Sequence, residues 1–149
     1  MIRTLTAALA VAMLFPCPDA LAVAQRTFVS VTGSDANTAA NCSIASPCRS
    51  FTSALTVTSA DGEIVVLSSG GYGRVTVDRS VTIAAPPGVY AGISVFSGTN
   101  GVDINTGSVN VVLRGLTING QGGNIGVSFL SGNSLTIENC VVSNMNSTG

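Results

Sequence analysis

The sequence contains no histidine, no lysine and no tryptophan, and only 9% of its 149 residues are charged. Without histidine the chain cannot form a Ser-His-Asp or Cys-His triad, an HExxH zinc site or a histidine general base. The formal net charge of −1 gives no basic surface for nucleic acid or for an anionic membrane. More than half of the residues are Val, Gly, Ser, Thr or Asn, a composition typical of strands and turns.

The first 24 residues have the three parts of a secretory signal peptide. Arg3 supplies the positive charge, Leu5 to Phe15 form the apolar stretch, and Ala22-Val23-Ala24 fits an A-x-A cleavage site. The apolar stretch is shorter than the roughly 20 residues that a membrane-spanning helix needs. We therefore predict a signal peptide at 1–24 and a mature chain without a membrane span, which is secreted, periplasmic or held at the cell surface.

Two cysteines lie close together in a turn-rich segment, at Cys42 and Cys48. In the oxidising compartment that export implies, they are predicted to form a disulfide that fixes a loop with little core of its own. Two thiolates with no histidine and no second cysteine pair do not complete a zinc site, so we predict no bound metal here.

One short helix is predicted near the start of the mature chain and short strands elsewhere. Ser46-Pro47 is a typical helix start, and the apolar spacing that follows predicts an amphipathic helix over 48–59. From Gly62 onward, brief β-type runs are separated by turn residues. The predicted strands are 28–31, 64–67, 75–77, 81–83, 93–96, 102–104, 111–113, 116–118, 125–129 and 135–137.

Many short strands fit either an antiparallel sandwich or barrel, or a solenoid, and internal repetition favours the solenoid. Val111 aligns with Leu135 at an offset of 24, and Val81 aligns with Val111 at an offset of 30. The same 24-residue offset places Arg114 beside Glu138 on neighbouring coils. Such coils stack on one another and bury their inward faces against their neighbours.

The repetition also predicts how the chain is divided. We assign 25–61 to an N-terminal cap that contains the disulfide loop and the short helix, and 62–149 to about three and a half coils. The repeat pattern continues to the last residues. We therefore expect the chain to be a C-terminally truncated piece of a longer solenoid.

Several segments carry a resemblance to a known family. They are FVS (28–30), GSDAN (33–37), SPCRSF (46–51), GEIVVL (62–67), GYG (71–73), VTIAAPPGVY (81–90), LRGLTI (113–118) and IENC (137–140). The chain resembles bacterial secreted proteins of the pectin-lyase-like superfamily over nearly all of its mature length. The resemblance implies an all-β fold, a right-handed parallel β-helix, and an association with polysaccharide. The short helix predicted at 48–59 is placed to cap the N-terminal end of this β-helix.

The resemblance also says which catalytic residues to look for. Pectate lyases hold calcium on clustered carboxylates and use Arg or Lys as the base, whereas polygalacturonases need paired Asp with His and Lys. The polygalacturonase pattern cannot be matched, because the sequence has no His and no Lys. The pectate lyase pattern would have to be built from Asp103, Arg114 and Glu138, and calcium is expected only if such a lyase site exists. We interpret Arg114 and Glu138 instead as a solvated ion pair, with no cofactor.

Tyr72 and Tyr90 follow turn residues and are candidate stacking platforms for sugar rings, or else loop anchors against the solenoid wall. The sequence therefore predicts an exported module that binds or displays on a surface without catalysis, and the resemblance implies polysaccharide as its partner. The alternative is a truncated polysaccharide lyase or glycoside hydrolase. The sequence makes no prediction of oligomeric state.

Overall fold

The computed structural model describes residues 23–147, which fold mainly as short β-strands with one short α-helix. The predicted signal peptide lies almost wholly outside the described residues. The helix α1 spans Phe51–Val57, after a 3₁₀ helix at Asp35–Ala40. The strands are β1 (Ala24–Val29), β2 (Thr58–Val66), β3 (Gly70–Gly71), β4 (Val75–Val77), β5 (Val81–Ala84), β6 (Ala91–Phe96), β7 (Asn100–Asn105), β8 (Asn110–Arg114), β9 (Leu116–Gln121), β10 (Ile125–Ser131), β11 (Ser134–Glu138) and β12 (Val141–Ser143).

The strands form three parallel sheets. Sheet A has the order β1-β2-β5-β8-β11, sheet B the order β12-β9-β6-β3, and sheet C the order β10-β7-β4. From β2 onward the chain visits sheets A, B and C in turn and then repeats this circuit. The prediction of an all-β chain with parallel sheets is confirmed, and the antiparallel alternative is not observed among the named strands.

The strand register agrees with the repeats seen in the sequence. Val111 pairs with Leu135 and Leu113 with Ile137, which confirms the offset of 24. Val81 pairs with Val111, which confirms the offset of 30. Because side chains alternate between the two faces of a strand, this register stacks like residues in columns. The inward columns hold the aliphatic core, which includes Ile64, Ile83, Leu113, Ile93, Leu116, Ile118, Val75, Val102 and Ile104.

Some elements differ from the prediction. The helix is shorter than 48–59: the Ser50 side chain accepts a hydrogen bond from the Ser53 backbone N–H at its start, and Thr58 is already extended. Gly70–Gly71, which lie outside the predicted strands, form β3. The first strand begins at Ala24 rather than at residue 28. The division into a cap at 25–61 and coils at 62–149 stays a prediction.

The predicted disulfide between Cys42 and Cys48 is present, with their Cα atoms 4.9 Å apart. Both residues are buried. The loop that they close lies along β1, because the N–H of Phe28 donates to the carbonyl of Cys42 and the N–H of Cys48 donates to the carbonyl of Phe28. The disulfide loop therefore covers the outer edge of sheet A, while α1 packs against β1, β2 and β4.

The carboxylate of Asp35 ties the 3₁₀ helix to the start of α1. Its Oδ1 accepts hydrogen bonds from the backbone N–H groups of Arg49 and Ser50, each at 2.9 Å. Its Oδ2 accepts a hydrogen bond from the Ser50 hydroxyl at 3.0 Å. Burial raises the pKa of Asp35, but these hydrogen bonds outweigh burial and leave the pKa below its ordinary value.

We expect Asp35→Asn to lower the free energy of unfolding by about 1 kcal/mol at neutral pH, because the amide cannot accept all three hydrogen bonds as a carboxylate does. A lowered pKa stabilises the fold above the ordinary carboxyl pKa of about 4, and this stability is lost as the pH falls through the lowered value. Urea unfolding at neutral and acidic pH tests both points. The difference from wild type should shrink in acid. Asp61→Asn is the matched control, since the Asp61 carboxylate accepts no hydrogen bond from any residue of 23–147. A similar loss there would contradict the assignment.

Candidate functional site

Arg114 and Glu138 lie opposite each other at the ends of β8 and β11, on the outer face of sheet A. The Arg114 Nε donates to Glu138 Oε2 at 2.6 Å, and both side chains are partly exposed. This hydrogen bond raises the pKa of Arg114 above its ordinary value, so its charge is retained at every pH of interest. The predicted stacking of this pair on neighbouring circuits is confirmed.

A cleft of about 280 Å³ opens beside this ion pair. One wall is the loop between β5 and β6, with Pro86, Pro87 and Val89, and the other is formed by Arg114, Gly115 and Asn139. The cleft exists because β8 and β9 are joined by Gly115 alone, so the longer loop above it overhangs a tight corner. Gly115 has a φ of +70°, and a Cβ there would lie 2.6 Å from the carbonyl oxygen of Ala85.

The third catalytic candidate, Asp103, lies on β7 in sheet C and pairs with Thr76 and Ser128. Its Oδ1 accepts a hydrogen bond from Asn100 Nδ2 at 2.6 Å. The structure therefore brings Arg114 and Glu138 together but places Asp103 in a different sheet. Within residues 23–147 no group of three His, Cys, Asp or Glu side chains is arranged to hold a metal ion.

Tyr72 is a core residue, which agrees with its interpretation as a loop anchor rather than as a stacking platform. Its ring is buried and lies 5.3 Å from the ring of Phe51, with the guanidinium of Arg49 5.6 Å from its centroid. Its hydroxyl donates to the carbonyl of Ser68. The ring is buried because α1 packs across it, a contact between residues far apart in sequence.

Tyr90, in contrast to Tyr72, is exposed. Half of it is accessible to solvent, at 51%. Its backbone is fixed on both sides, since the Tyr90 N–H donates to the Ser69 hydroxyl and the Tyr90 carbonyl accepts from the Gly70 N–H. Its ring rests over Gly92, where a Cβ would lie 2.7 Å from the Tyr90 Cε1 and Oη atoms. Tyr90 is thus the last residue of the loop before β6, and its ring is held against the strand by these contacts.

A second exposed aromatic residue, Phe96, was not identified from the sequence. It ends β6 and is 57% exposed. The alternation of Ser94 and Phe96 with the buried Ile93 and Val95 is the signal that could have revealed it. Together with its neighbours it forms a surface that we name the sheet B outer face. Its residues are Gly92, Ser94, Phe96, Thr117, Asn119, Gln121, Val141 and Ser143, with the Tyr90 ring over Gly92.

Comparison of the chain with protein-family models, with curated proteins and with solved structures gave no match. Among residues 23–147 there is no helix of the length and hydropathy needed to cross a membrane.

Proposed function

We propose that the chain is an exported right-handed parallel β-helix module of the pectin-lyase-like kind, which binds carbohydrate on a lateral face without cleaving it. The observation that carries this proposal is the repeated circuit through sheets A, B and C, with each strand parallel to its neighbour in the next circuit. The signal-peptide pattern at 1–24 and the buried Cys42–Cys48 disulfide support export, because disulfides persist in oxidising compartments.

A stack of this kind suits the binding of a polymer. Strands about 4.8 Å apart place outward side chains in straight rows, so the lateral faces are regular and rigid. A rigid face loses little conformational entropy when a ligand binds to it. That the ligand is carbohydrate comes from the family resemblance and from the character of the sheet B outer face.

The arrangement of charged residues favours binding over cleavage. A lyase needs a base and a positive charge at the developing enolate, and a hydrolase needs two positioned carboxyl groups. Among residues 23–147, the Arg114 Nε is already bonded to Glu138, and Asp103 lies in another sheet. We therefore assign Arg114 and Glu138 to the solvated surface of sheet A.

The proposal is tested by passing the exported chain over immobilised polysaccharides, both neutral and acidic, at low ionic strength. We expect retention on at least one of them, with elution by the soluble form of the same polysaccharide. The reducing ends of the retained polysaccharide should not increase. An unretained chain on every polysaccharide would overturn carbohydrate binding as the function.

The cleft beside Arg114 supports a second candidate function, that of a polysaccharide lyase. No hydrogen bond is observed from the terminal nitrogens of the Arg114 guanidinium to any described residue, so they are free to meet a sugar carboxylate. Incubation with acidic polysaccharides and calcium, followed by the absorbance of unsaturated products, distinguishes the candidates. Turnover that disappears in Arg114→Ala would establish the lyase, whereas the binding proposal predicts none.

A further inference from the structure

The strands of sheet B contain no charged residue. β3, β6, β9 and β12 are built only from apolar, glycine, hydroxyl and amide residues. The outer face of sheet A, in contrast, carries the ion pairs Arg26–Glu63 and Arg114–Glu138. A ligand on the sheet B outer face would therefore meet hydrogen-bonding groups and apolar surface but no ionic partner on these strands.

Two aromatic rings mark the ends of this face along β6. The ring of Tyr90 lies over Gly92, and Phe96 lies four residues further along the same strand. At about 3.3 Å per residue, the two positions are about 13 Å apart. A ligand that contacts both rings must be longer than a single sugar ring, and it must run along the strand direction.

Amide and hydroxyl groups lie between the two rings. Asn119 pairs with Ser94, and Gln121 pairs with Phe96 on the neighbouring strand. The Asn119 Oδ1 is occupied, since it accepts a hydrogen bond from the Asn144 Nδ2 at 2.6 Å. No hydrogen bond is observed within 23–147 for the Asn119 Nδ2 or for the Gln121 Oε1. The face thus offers the Asn119 amide nitrogen as a donor between the two rings and the Gln121 amide oxygen as an acceptor beside Phe96.

We propose that the sheet B outer face is the carbohydrate site and that its ligand is a neutral glycan chain. The apolar faces of the sugar rings stack on Tyr90 and Phe96, and the sugar hydroxyls bond to the Asn119 and Gln121 amides. An acidic glycan would find no cation on these strands, and the neighbouring Arg49 guanidinium at the sheet edge already donates to the Gly71 carbonyl. An apolar partner would find two rings separated by polar groups rather than one continuous patch. This inference rests on the proposed function and specifies its site and ligand class.

The experiment measures the dissociation constant of the exported chain for neutral oligosaccharides of several units by titration calorimetry, beside an acidic oligosaccharide of the same length. We expect the neutral ligand to bind more tightly. Tyr90→Ala and Phe96→Ala should each weaken its binding by about tenfold, since each removes one stacking platform. Tyr90→Phe should retain the stacking and most of the affinity.

Phe129→Ala is the matched control, because Phe129 is also an exposed phenylalanine but lies on β10 in sheet C. It should leave the affinity unchanged. Gly92→Ala gives a second test, because its Cβ would displace the Tyr90 ring without removing it, and the affinity should fall. Circular dichroism of every variant verifies that the fold is retained.

The outcomes separate the site from the function. Neutral glycan binding that is unaffected by Tyr90→Ala and Phe96→Ala, or binding of the acidic ligand alone, would overturn this site while carbohydrate binding stands. If the wild-type chain binds no oligosaccharide and is retained on no polysaccharide, the proposed function itself fails.

Discussion

Replacing Ile83 by alanine should lower the free energy of unfolding by about 2–5 kcal/mol. Ile83 is 0% exposed and lies on β5 in the middle of sheet A, where it stacks between Ile64 and Leu113. Its replacement removes apolar contacts and leaves a cavity between circuits that are held on both sides. Because the backbone hydrogen bonds of parallel strands fix the spacing of these circuits, the cavity cannot close easily.

Ile137 provides the control for this prediction. It occupies the same inward column as Leu113, one strand further along on β11, but it is 48% exposed. The substitution Ile137→Ala is chemically identical and should cost about 1 kcal/mol, since about half of the side chain already meets solvent. Urea unfolding followed by circular dichroism gives both values. Equal losses at the two positions would contradict the arrangement of sheet A.

Removal of the disulfide should have the next largest effect. The double variant Cys42→Ala, Cys48→Ala should lose about 2–2.5 kcal/mol of unfolding free energy, because the bond restricts the unfolded chain. Part of the loss comes from the folded state, since the loop covers β1 through the hydrogen bonds between Phe28 and both cysteines. Loosening the loop would expose the edge of sheet A to water.

The disulfide is checked by intact mass after alkylation of the exported, unfolded chain, with and without prior reduction. Without reduction, only the Cys140 thiol should be alkylated in the mature chain; reduction should add two further alkyl groups. Two additional alkylated thiols in the unreduced sample would show that the bond is not formed. A double variant as stable as wild type would show that the bond contributes nothing to the fold.

The register of the sheets could be predicted from the sequence because similar apolar side chains recur at the positions that pair between successive strands. Val81, Val111 and Leu135 align by offset alone, and the structure pairs them as expected. The strand β3 could not be predicted in this way, because Gly70 and Gly71 have no side chains to form a pattern. They pair through their backbones with Ala91 and Gly92.

Among the site residues too, some contacts follow from a sequence pattern and others do not. The contact between Arg114 and Glu138 follows from the 24-residue offset, so it could be predicted. The burial of Tyr72 depends on how Phe51 of α1 packs against it, which no local pattern shows. The cleft forms where the loop between β5 and β6 lies next to Gly115 of the following circuit. These two segments lie one circuit apart in the sequence and become neighbours only when the circuits are stacked.

The circuit through the three sheets has a consequence for how the chain folds. From β2 onward, every pairing between named strands joins one circuit to the next. No strand there depends on pairing with a strand that is distant in the sequence. Each circuit can form on the surface that the previous one provides, in the manner of a one-dimensional stack. A stack of this kind can fold by propagation from a circuit that has already formed. A fault in one circuit weakens the contacts on its two sides and leaves the pairing of more distant circuits unchanged.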